Sequence, residues 1–325
     1  MRLLVTGGAG YIGSIVATQL LGEGHEVVVF DNLKQGHREA VPTGAELVVG
    51  DLLDPDAIGA ALEGGFEGVL HFAALALVPE SVEHPERYYR TNVGGTLNLL
   101  EAMRGQGVNR LVFSSTCATY GIPEQVPIAE TTPTRPVNAY GNSKLAVDWM
   151  IGDFCTAHGL GAISLRYFNV AGASGERGED HDPETHLIPN VLRAIQGISE
   201  YVNVFGTDYP TRDGTAVRDY IHIEDLSDAH ALALAGVRPG EHRIYNLGNG
   251  NGFSVREVIA AAERVTGRQV PVREAERRPG DPPELIAASA RVRSELGWEP
   301  RKPSLDEMVG DAWAFAQARP RGYGG

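Results

Sequence analysis

The apolar positions in the first half of the chain fall into short runs separated by longer, helix-periodic segments. Arg2–Thr6 (RLLVT), Glu26–Phe30 (EVVVF), Glu46–Val49 (ELVV), Gly68–Phe72 (GVLHF), Arg110–Ser114 (RLVFS) and Ala162–Arg166 (AISLR) read as strands. Between them, Ile12–Glu23 and the stretches near 55–62, 86–104 and 140–158 read as helices. Strands that are apolar at nearly every position are covered on both faces, and their alternation with helices makes the sheet parallel. The fold class is therefore α/β, a doubly wound parallel sheet that binds its ligands at the carboxyl ends of the strands. After Tyr167 the pattern gives way to a Gly-, Pro- and charge-rich stretch, Gly172 to Pro189, too irregular for sheet. This predicts a larger first domain over 1–170 and a smaller C-terminal substrate domain over 171–325. Segments near 217–248 (Arg218–Leu226, the helix Asp228–Ala235 and the strand Arg243–Leu247) are expected to return to the main sheet.

Strand one opens directly into Gly7-Gly8-Ala9-Gly10-Tyr11-Ile12-Gly13. Gly7 and Gly8 permit a tight turn, Gly10 lets backbone reach a pyrophosphate, and Gly13 lets helix pack close to sheet. Phosphates would sit at the helix N-terminus among free N–H groups, with Tyr11 and Ile12 beside them. In this strand–turn–helix context the pattern predicts a Rossmann-type dinucleotide site. Asp31, directly after strand two, is placed to accept from the adenosine ribose hydroxyls. Its charge favours NAD over NADP, although Lys34 and Arg38 nearby leave NADP open. Asp51, followed by Leu52, either accepts from the adenine amine or is a solvated turn aspartate.

At the next strand ends stand Phe72-Ala73-Ala74 and Ser114-Ser115-Thr116. Small residues there let backbone approach a cofactor, and a hydroxyl can bond a substrate's reacting oxygen; a helix-cap or turn role is the alternative. Tyr140 and Lys144 tip the balance. Four residues apart, they share a helix face, so the ammonium can approach the phenol and draw its pKa down from about 10. A phenolate so placed can take a proton from an alcohol while a nicotinamide takes the hydride.

Composition narrows the field. With 325 residues, 42% of them apolar, the chain can bury a large core in about two domains. A formal charge of −14 excludes the basic face that a nucleic-acid binder needs. No apolar run approaches membrane-spanning length, and Gly7 and Gly8 interrupt any signal-like N-terminus. Two cysteines, Cys117 and Cys155, make no disulfide scaffold, so a reducing cytoplasm is expected. No metal site is read from the sequence.

Further segments carry a resemblance. Val5–Gly13 (VTGGAGYIG), Asp31-Asn32, His71–Ala74 (HFAA), Glu80-Ser81, Asn92-Val93, Phe113–Gly121 (FSSTCATYG) and Ala139–Lys144 (AYGNSK) belong to it. So do Arg166–Asn169 (RYFN), Asp208–Pro210 (DYP), Asp213–His222 (DGTAVRDYIH) and Tyr245–Gly248 (YNLG). Along essentially its whole length the chain resembles the UDP-glucose 4-epimerase family of the extended short-chain dehydrogenase/reductase superfamily. The resemblance implies that Thr116, Tyr140 and Lys144 are the catalytic set. It makes Asn32, Asn92, Ser114 and Phe168 cofactor neighbours, and it implies that the cofactor is tightly held NAD. It assigns Asn169, Leu187, Asn203, Val204, Phe205, Arg218, Arg278 and Asp281 to a UDP-sugar pocket, and it implies a homodimer formed through the helices near 86–104 and 140–158. Two separated arginines are what a diphosphate requires.

Four positions depart from the family pattern. Thr116 stands where many members carry serine, and Ala76 replaces a lysine seen in several. His186 occupies a place where asparagine commonly contacts the substrate; it is either such a contact or a domain-surface histidine. Leu285 lies where tyrosine accompanies strict hexose selectivity and a smaller residue accompanies N-acetylhexosamine acceptance. Related 4,6-dehydratases carry an Asp-Glu pair where this chain has Cys117-Ala118, which excludes their elimination chemistry; Cys117 reads as an inert thiol rather than a base. The expected reaction is reversible epimerisation of UDP-glucose and UDP-galactose at C4. A UDP-N-acetylglucosamine 4-epimerase, or an enzyme of dual specificity, is the alternative, and a non-catalytic dinucleotide sensor is the alternative of a different class.

Overall fold

The computed structural model describes residues 1–278 and 280–324. Seven strands build the main sheet: β1 (Arg2–Thr6), β2 (Glu26–Asp31), β3 (Glu46–Val49), β4 (Gly68–His71), β5 (Arg110–Thr116), β6 (Gly161–Tyr167) and β7 (His242–Leu247). Their order is β3-β2-β1-β4-β5-β6-β7, and every neighbouring pair is parallel. Chain direction across the sheet reverses between β1 and β4. A crevice opens there at the carboxyl ends of the strands, the place where such sheets bind nucleotides.

Both faces of the sheet are apolar because successive strand residues point to opposite sides. Leu3, Val5, Val27 and Val29 pack under the helices Tyr11–Gly22 and Ile223–Gly236, together with the fully buried Trp298. Leu4, Val28 and Phe30 point the other way, toward the helices Gly95–Gln106 and Ala139–His158. Asn138 caps the latter by accepting from Gly141 N at 2.8 Å, and Gly159 ends it at φ 72°, a conformation that favours glycine. The helix expected over 86–104 comes in three pieces: a turn at Pro85–Tyr88, a wide π-type turn at Tyr89–Gly94, and the regular helix Gly95–Gln106.

Of the segments expected to return to the main sheet, β7 does so as a strand and Ile223–Gly236 as a covering helix. Val217–Arg218 does not: it lies between Phe253–Ser254 and Glu284–Leu285 in a small sheet. Tyr220–His222 pairs with Asn169–Ala171. Val217–Arg218 is paired on both of its edges in that small sheet, so it has none left for the main one. Beyond the sheet, the helices Leu187–Ile195, Val255–Thr266 and Leu305–Ala318 enclose a second core of Ile188, Val191, Leu192, Val258, Met308 and Val309. No described helix is long and apolar enough to cross a membrane.

Candidate active site

The turn after β1 is shaped by what cannot be there. Gly7 has φ 72°, and a Cβ on it would lie 2.5 Å from Ala73 N. A Cβ on Gly13 would lie 2.3 Å from the Gly7 carbonyl oxygen, backbone against backbone. At Gly10 a Cβ would meet only that same oxygen, at 3.4 Å, so this point faces open space. The helix begins after Gly10 with no side-chain cap. The first-turn N–H groups of Tyr11, Ile12 and Gly13 therefore have no intrahelical partner and are available to an anion.

Asp31 closes the far side. Its Oδ2 accepts from Ala9 N (3.0 Å) and its Oδ1 from Leu33 N (2.8 Å). Burial raises its pKa, with those amides pulling the other way. Leu33 holds φ 57°, the only left-handed non-glycine residue among those described. Asp51 accepts from Leu53 N (3.0 Å), Lys34 Nζ (2.9 Å) and Asn32 Nδ2 (3.1 Å). Partial burial works against its ionisation, yet these donors hold its carboxyl below the usual range. Lys34 is thereby engaged by a carboxylate and is not presented to a 2′-phosphate. Leu52 is buried against Gly95. Phe72 packs on the His230 ring at 4.8 Å, and Ala73 and Ala74 continue the backbone past Gly7. A cradle that excludes side chains at Gly7 and Gly13, with free amides at a helix start and a carboxylate beyond, suits NAD.

Asn92 sits in the π-type turn and is fully committed: it donates to Leu75 O (3.0 Å) and Ser143 Oγ (3.0 Å) and accepts from Leu75 N (2.8 Å). It thus pins the loop after β4 to the helix that carries Tyr140. Ala76, in that loop, is exposed.

Along β5 the three hydroxyl residues alternate. Ser115 points to the rear, donating to Asp148 Oδ2 (3.2 Å). Ser114 and Thr116 point to the cleft, where Tyr167 OH donates to Ser114 Oγ and the Thr116 hydroxyl lies near enough to the Tyr140 phenol to lower its pKa. Lys144, 3% exposed, donates to Ser114 O (2.8 Å) with its ammonium 4.8 Å from the Phe113 ring centre. One turn further on, Asp148 pairs with Arg166 at 2.8 Å in a buried bridge.

The electrostatics differ from the sequence expectation. Burial pushes the Tyr140 phenol up to about 12, with the Thr116 hydrogen bond acting against it. Lys144 is pushed down to about 7 by burial, with Asp148 opposing the shift. A lysine stripped of water carries only part of its charge near neutrality, so it does not by itself draw the phenol toward working pH. Cys117, beside Thr116, is pushed up to about 12 by burial and is a thiol, not a base.

The residues expected on the sugar side come from the second half. Arg218 bonds the Asp281 carboxylate and Val217 O (2.7 Å). Arg278 lies 4.0 Å above the Phe205 ring. Arg218 is thus held by the Asp281 carboxylate and Arg278 by the Phe205 ring. Asn203, on the strand Val202–Phe205, accepts from Arg273 (3.1 Å), whereas Val204 is buried and pairs with Glu274. Asn169 donates to Asp219 O (3.1 Å). Leu285 pairs with Arg218 in the small sheet and packs with Cys117 on the cluster of Tyr120, Ile128, Phe168 and Ala287, which brings it beside the Thr116 strand end.

Leu187 opens the helix that follows His186. His186 itself is turned to Glu179 and Glu184, with Nδ1 2.8 Å from a carboxylate oxygen of each. The charge of Glu179 raises its pKa well above the ordinary value. His181 joins the same group. The sequence reading passed over this cluster, although Glu179-x-His181-x-x-Glu184-x-His186 is visible as a spacing. It also passed over Asp219, whose carboxylate accepts from the amides of Asn249 (2.7 Å), Gly250 (2.9 Å) and Ala287 (2.9 Å) and so clips the Arg218 and Leu285 strands to the loop after β7.

Comparison with known proteins places this geometry. Residues 3–248 match the NAD dependent epimerase/dehydratase family. The chain is 56% identical over 319 residues to a UDP-glucose 4-epimerase of Corynebacterium glutamicum, covering 98% of this chain and 96% of that one. It is 57% identical over 325 residues to a UDP-glucose 4-epimerase of Streptomyces lividans, covering 99% and 98%. The crystal structure of UDP-glucose 4-epimerase from Brucella ovis in complex with NAD is similar to it at a TM-score of 0.92 and 46% identity, over 97% and 98% of the two chains.

Proposed function

The chain belongs to the NAD dependent epimerase/dehydratase family, among the UDP-glucose 4-epimerases of the extended short-chain dehydrogenase/reductase superfamily, and from this premise we propose that it interconverts UDP-glucose and UDP-galactose. The observation that carries the reading is the meeting of Thr116, Tyr140 and Lys144 at the β5 end, between a dinucleotide cradle and a pair of arginines. NAD held in this cradle would supply the hydride acceptor for C4′ and a positive charge that favours the phenolate. Tyr140 takes the 4′-hydroxyl proton, Thr116 holds the same oxygen, and Lys144 fixes the Ser114 carbonyl at the strand end. The arginines Arg218 and Arg278 hold the diphosphate, supported by Asp281 and the Phe205 ring. A 4-keto sugar anchored at its diphosphate alone can turn over and present its other face, so return of hydride and proton inverts C4′. Loose hexose contacts assist this, because a tight grip would block rotation.

The division of labour follows the chain: residues 1–170 with β7 hold the cofactor, and 171–325 hold the sugar nucleotide. Asn169, Leu187, Asn203 and Val204 line the sugar nucleotide in this reading, Leu285 borders the sugar, and His186 is turned to Glu179 and Glu184 instead. The leucine leaves room for an acetamido group, which supports some N-acetylhexosamine activity alongside the hexose reaction. Two copies pair through the helices Gly95–Gln106 and Ala139–His158; Leu97 and, at 64% exposure, Trp149 are the apolar residues that support this. Two free cysteines support a reducing, cytoplasmic setting. The test is purified protein with UDP-galactose, no cofactor added, and the products separated. Formation of UDP-glucose is expected. No turnover of any UDP-sugar by NAD-loaded protein would favour a dinucleotide sensor instead.

A further inference from the structure

Between the sheet and the helix Leu187–Ile195, the irregular segment folds back on itself and brings four side chains to one point. His186 Nδ1 lies 2.8 Å from Glu179 Oε1 and 2.8 Å from Glu184 Oε1. His181 Nδ1 lies 3.3 Å from Glu179 Oε1 and 3.7 Å from Glu184 Oε2. One ligand atom from each residue falls within 4.8 Å of all the others. We propose that Glu179, His181, Glu184 and His186 form a closed, four-ligand structural site for a zinc ion.

The spacing is the first argument. Tetrahedral zinc with bonds of about 2.0–2.1 Å has ligand–ligand edges of about 3.3–3.4 Å. With one oxygen from each carboxylate, His186 Nδ1 lies 2.8 Å from both and His181 Nδ1 3.3 Å from Glu179 Oε1, at or a little below that edge, and the four ligand atoms all lie within 4.8 Å of one another.

The second argument is a group without a partner. His181 Nδ1 is buried and makes no hydrogen bond, although two carboxylates face it. A pair of plain histidine–glutamate ion pairs would place an N–H on an oxygen there; an ion at the centre is what this nitrogen is aimed at.

Charge is the third. The Glu184 and Glu179 side chains are only 3% and 9% exposed. Among the described residues their ion-pair partners are the two histidines alone. Two carboxylates and two neutral imidazoles around a divalent cation sum to zero, so the ion would leave no buried charge unbalanced.

The donor set selects the metal. Two nitrogens and two oxygens in four-fold array suit zinc, while magnesium and calcium require six or more oxygens. Glu184 is already oriented, since its Oε1 accepts from Thr185 N and His186 N, both at 2.7 Å. With four protein ligands no position is left for substrate, so the role is structural. Its reach is considerable. Tyr11, in the dinucleotide turn, donates to Gly172 O (2.6 Å) at the start of this segment. His37 bonds Asp180 O (3.1 Å) between two of the ligands, and His186 leads into the helix that carries Leu187. Filling the site would fix the wall shared by the cofactor turn and the sugar pocket.

The test does not depend on turnover. Untagged protein purified without chelator should contain one zinc per chain by elemental analysis. After stripping with dipicolinate, titration with zinc chloride should restore one equivalent, and magnesium chloride should bind at least about a hundredfold more weakly. X-ray absorption should show four nitrogen or oxygen neighbours at about 2.0–2.1 Å. His181→Ala and Glu184→Gln should each weaken zinc binding by about a hundredfold or more while circular dichroism remains native; His181→Gln replaces the first if it misfolds. Stripped wild type that takes up no zinc at micromolar concentration overturns the proposal. So does equal zinc binding by folded His181→Ala, or a shell containing sulfur, which would indicate Cys117 or Cys155.

Discussion

Two glycines three residues apart should fail in different ways when each is changed to alanine. At Gly13 the new Cβ would sit 2.3 Å from Gly7 O and 2.9 Å from Gly7 C and Gly8 Cα. All three are backbone atoms of a turn already fixed by Ala73, so neither side can yield without moving helix from sheet. Overpacking of this kind costs about 1–3 kcal/mol. At Gly10 the Cβ would meet only Gly7 O at 3.4 Å, an ordinary contact, and the residue's φ of −86° and ψ of 176° suit alanine. An alanine helix cap is worse than glycine by up to about 1 kcal/mol, and the stiffer unfolded chain returns about 0.4–1 kcal/mol. The net effect on folding is within about 0.5 kcal/mol. The methyl group nevertheless projects where backbone must approach the pyrophosphate. Gly10→Ala should therefore keep its melting temperature but lose bound NAD, whereas Gly13→Ala should lose several degrees as well. Melting has to be measured on NAD-stripped protein, because a ligand bound only by the native state raises the apparent stability. NAD content is read from the supernatant after denaturing each variant as purified. Equal melting losses in the two variants, or full NAD content in Gly10→Ala, would refute the reasoning.

Tyr140→Phe should fold and retain NAD yet lose epimerisation by about 10²–10⁴-fold; near-normal turnover by the loaded variant would remove Tyr140 from the proton transfer. Leu285→Tyr should lower kcat/KM for the N-acetylhexosamine nucleotide about 10–200-fold more than for the hexose nucleotide; an unchanged ratio would show that residue 285 is not the gate. Lys144, at about 7 when folded against 10.5 unperturbed, binds fewer protons folded than unfolded between those values. Stability therefore rises with pH across that window, and below about pH 7 the full burial penalty remains. In NAD-stripped protein the melting temperature of wild type minus that of Lys144→Met should grow from pH 7 to about 9.5; a flat difference contradicts the shift. Light scattering at micromolar concentration should give a two-chain mass, with Trp149→Glu shifted toward one chain; a one-chain mass for wild type would count against pairing.

Periodicity made the sheet legible. β1 and β3 have the bounds expected from sequence, β2, β4 and β5 differ by one or two residues at one end, and β6 by one residue at each end. The dinucleotide turn was equally readable, because glycine is required there by contacts at fixed sequence offsets. What sequence missed depends on tertiary placement. Val217–Arg218 looks like a strand that belongs to the main sheet, and only its pairing with Phe253–Ser254 and Glu284–Leu285 shows that both of its edges are taken. The break within 86–104 centres on Asn92, whose partners Leu75 and Ser143 lie far away in the chain. The Tyr140–Lys144 spacing was seen, but the burial that moves both pKa values could not be. The cluster from Glu179 to His186 lies in a segment without periodicity, where pattern reading has no purchase.

The distant origin of β7 has a consequence for synthesis. The first 170 residues contain the dinucleotide turn and the catalytic pair, yet β6 lacks its outer neighbour until His242–Leu247 arrives. The apolar face of β1 and the helix Tyr11–Gly22 likewise await Ile223–Gly236 and Trp298. At about 5–20 residues per second on the ribosome, roughly ten to sixty seconds separate the first strand from these pieces. A nascent chain therefore carries its glycine turn exposed through most of its translation, and a chain halted near residue 170 would present uncovered sheet rather than a smaller enzyme. The sheet that carries the dinucleotide turn is completed only by the last third of the chain.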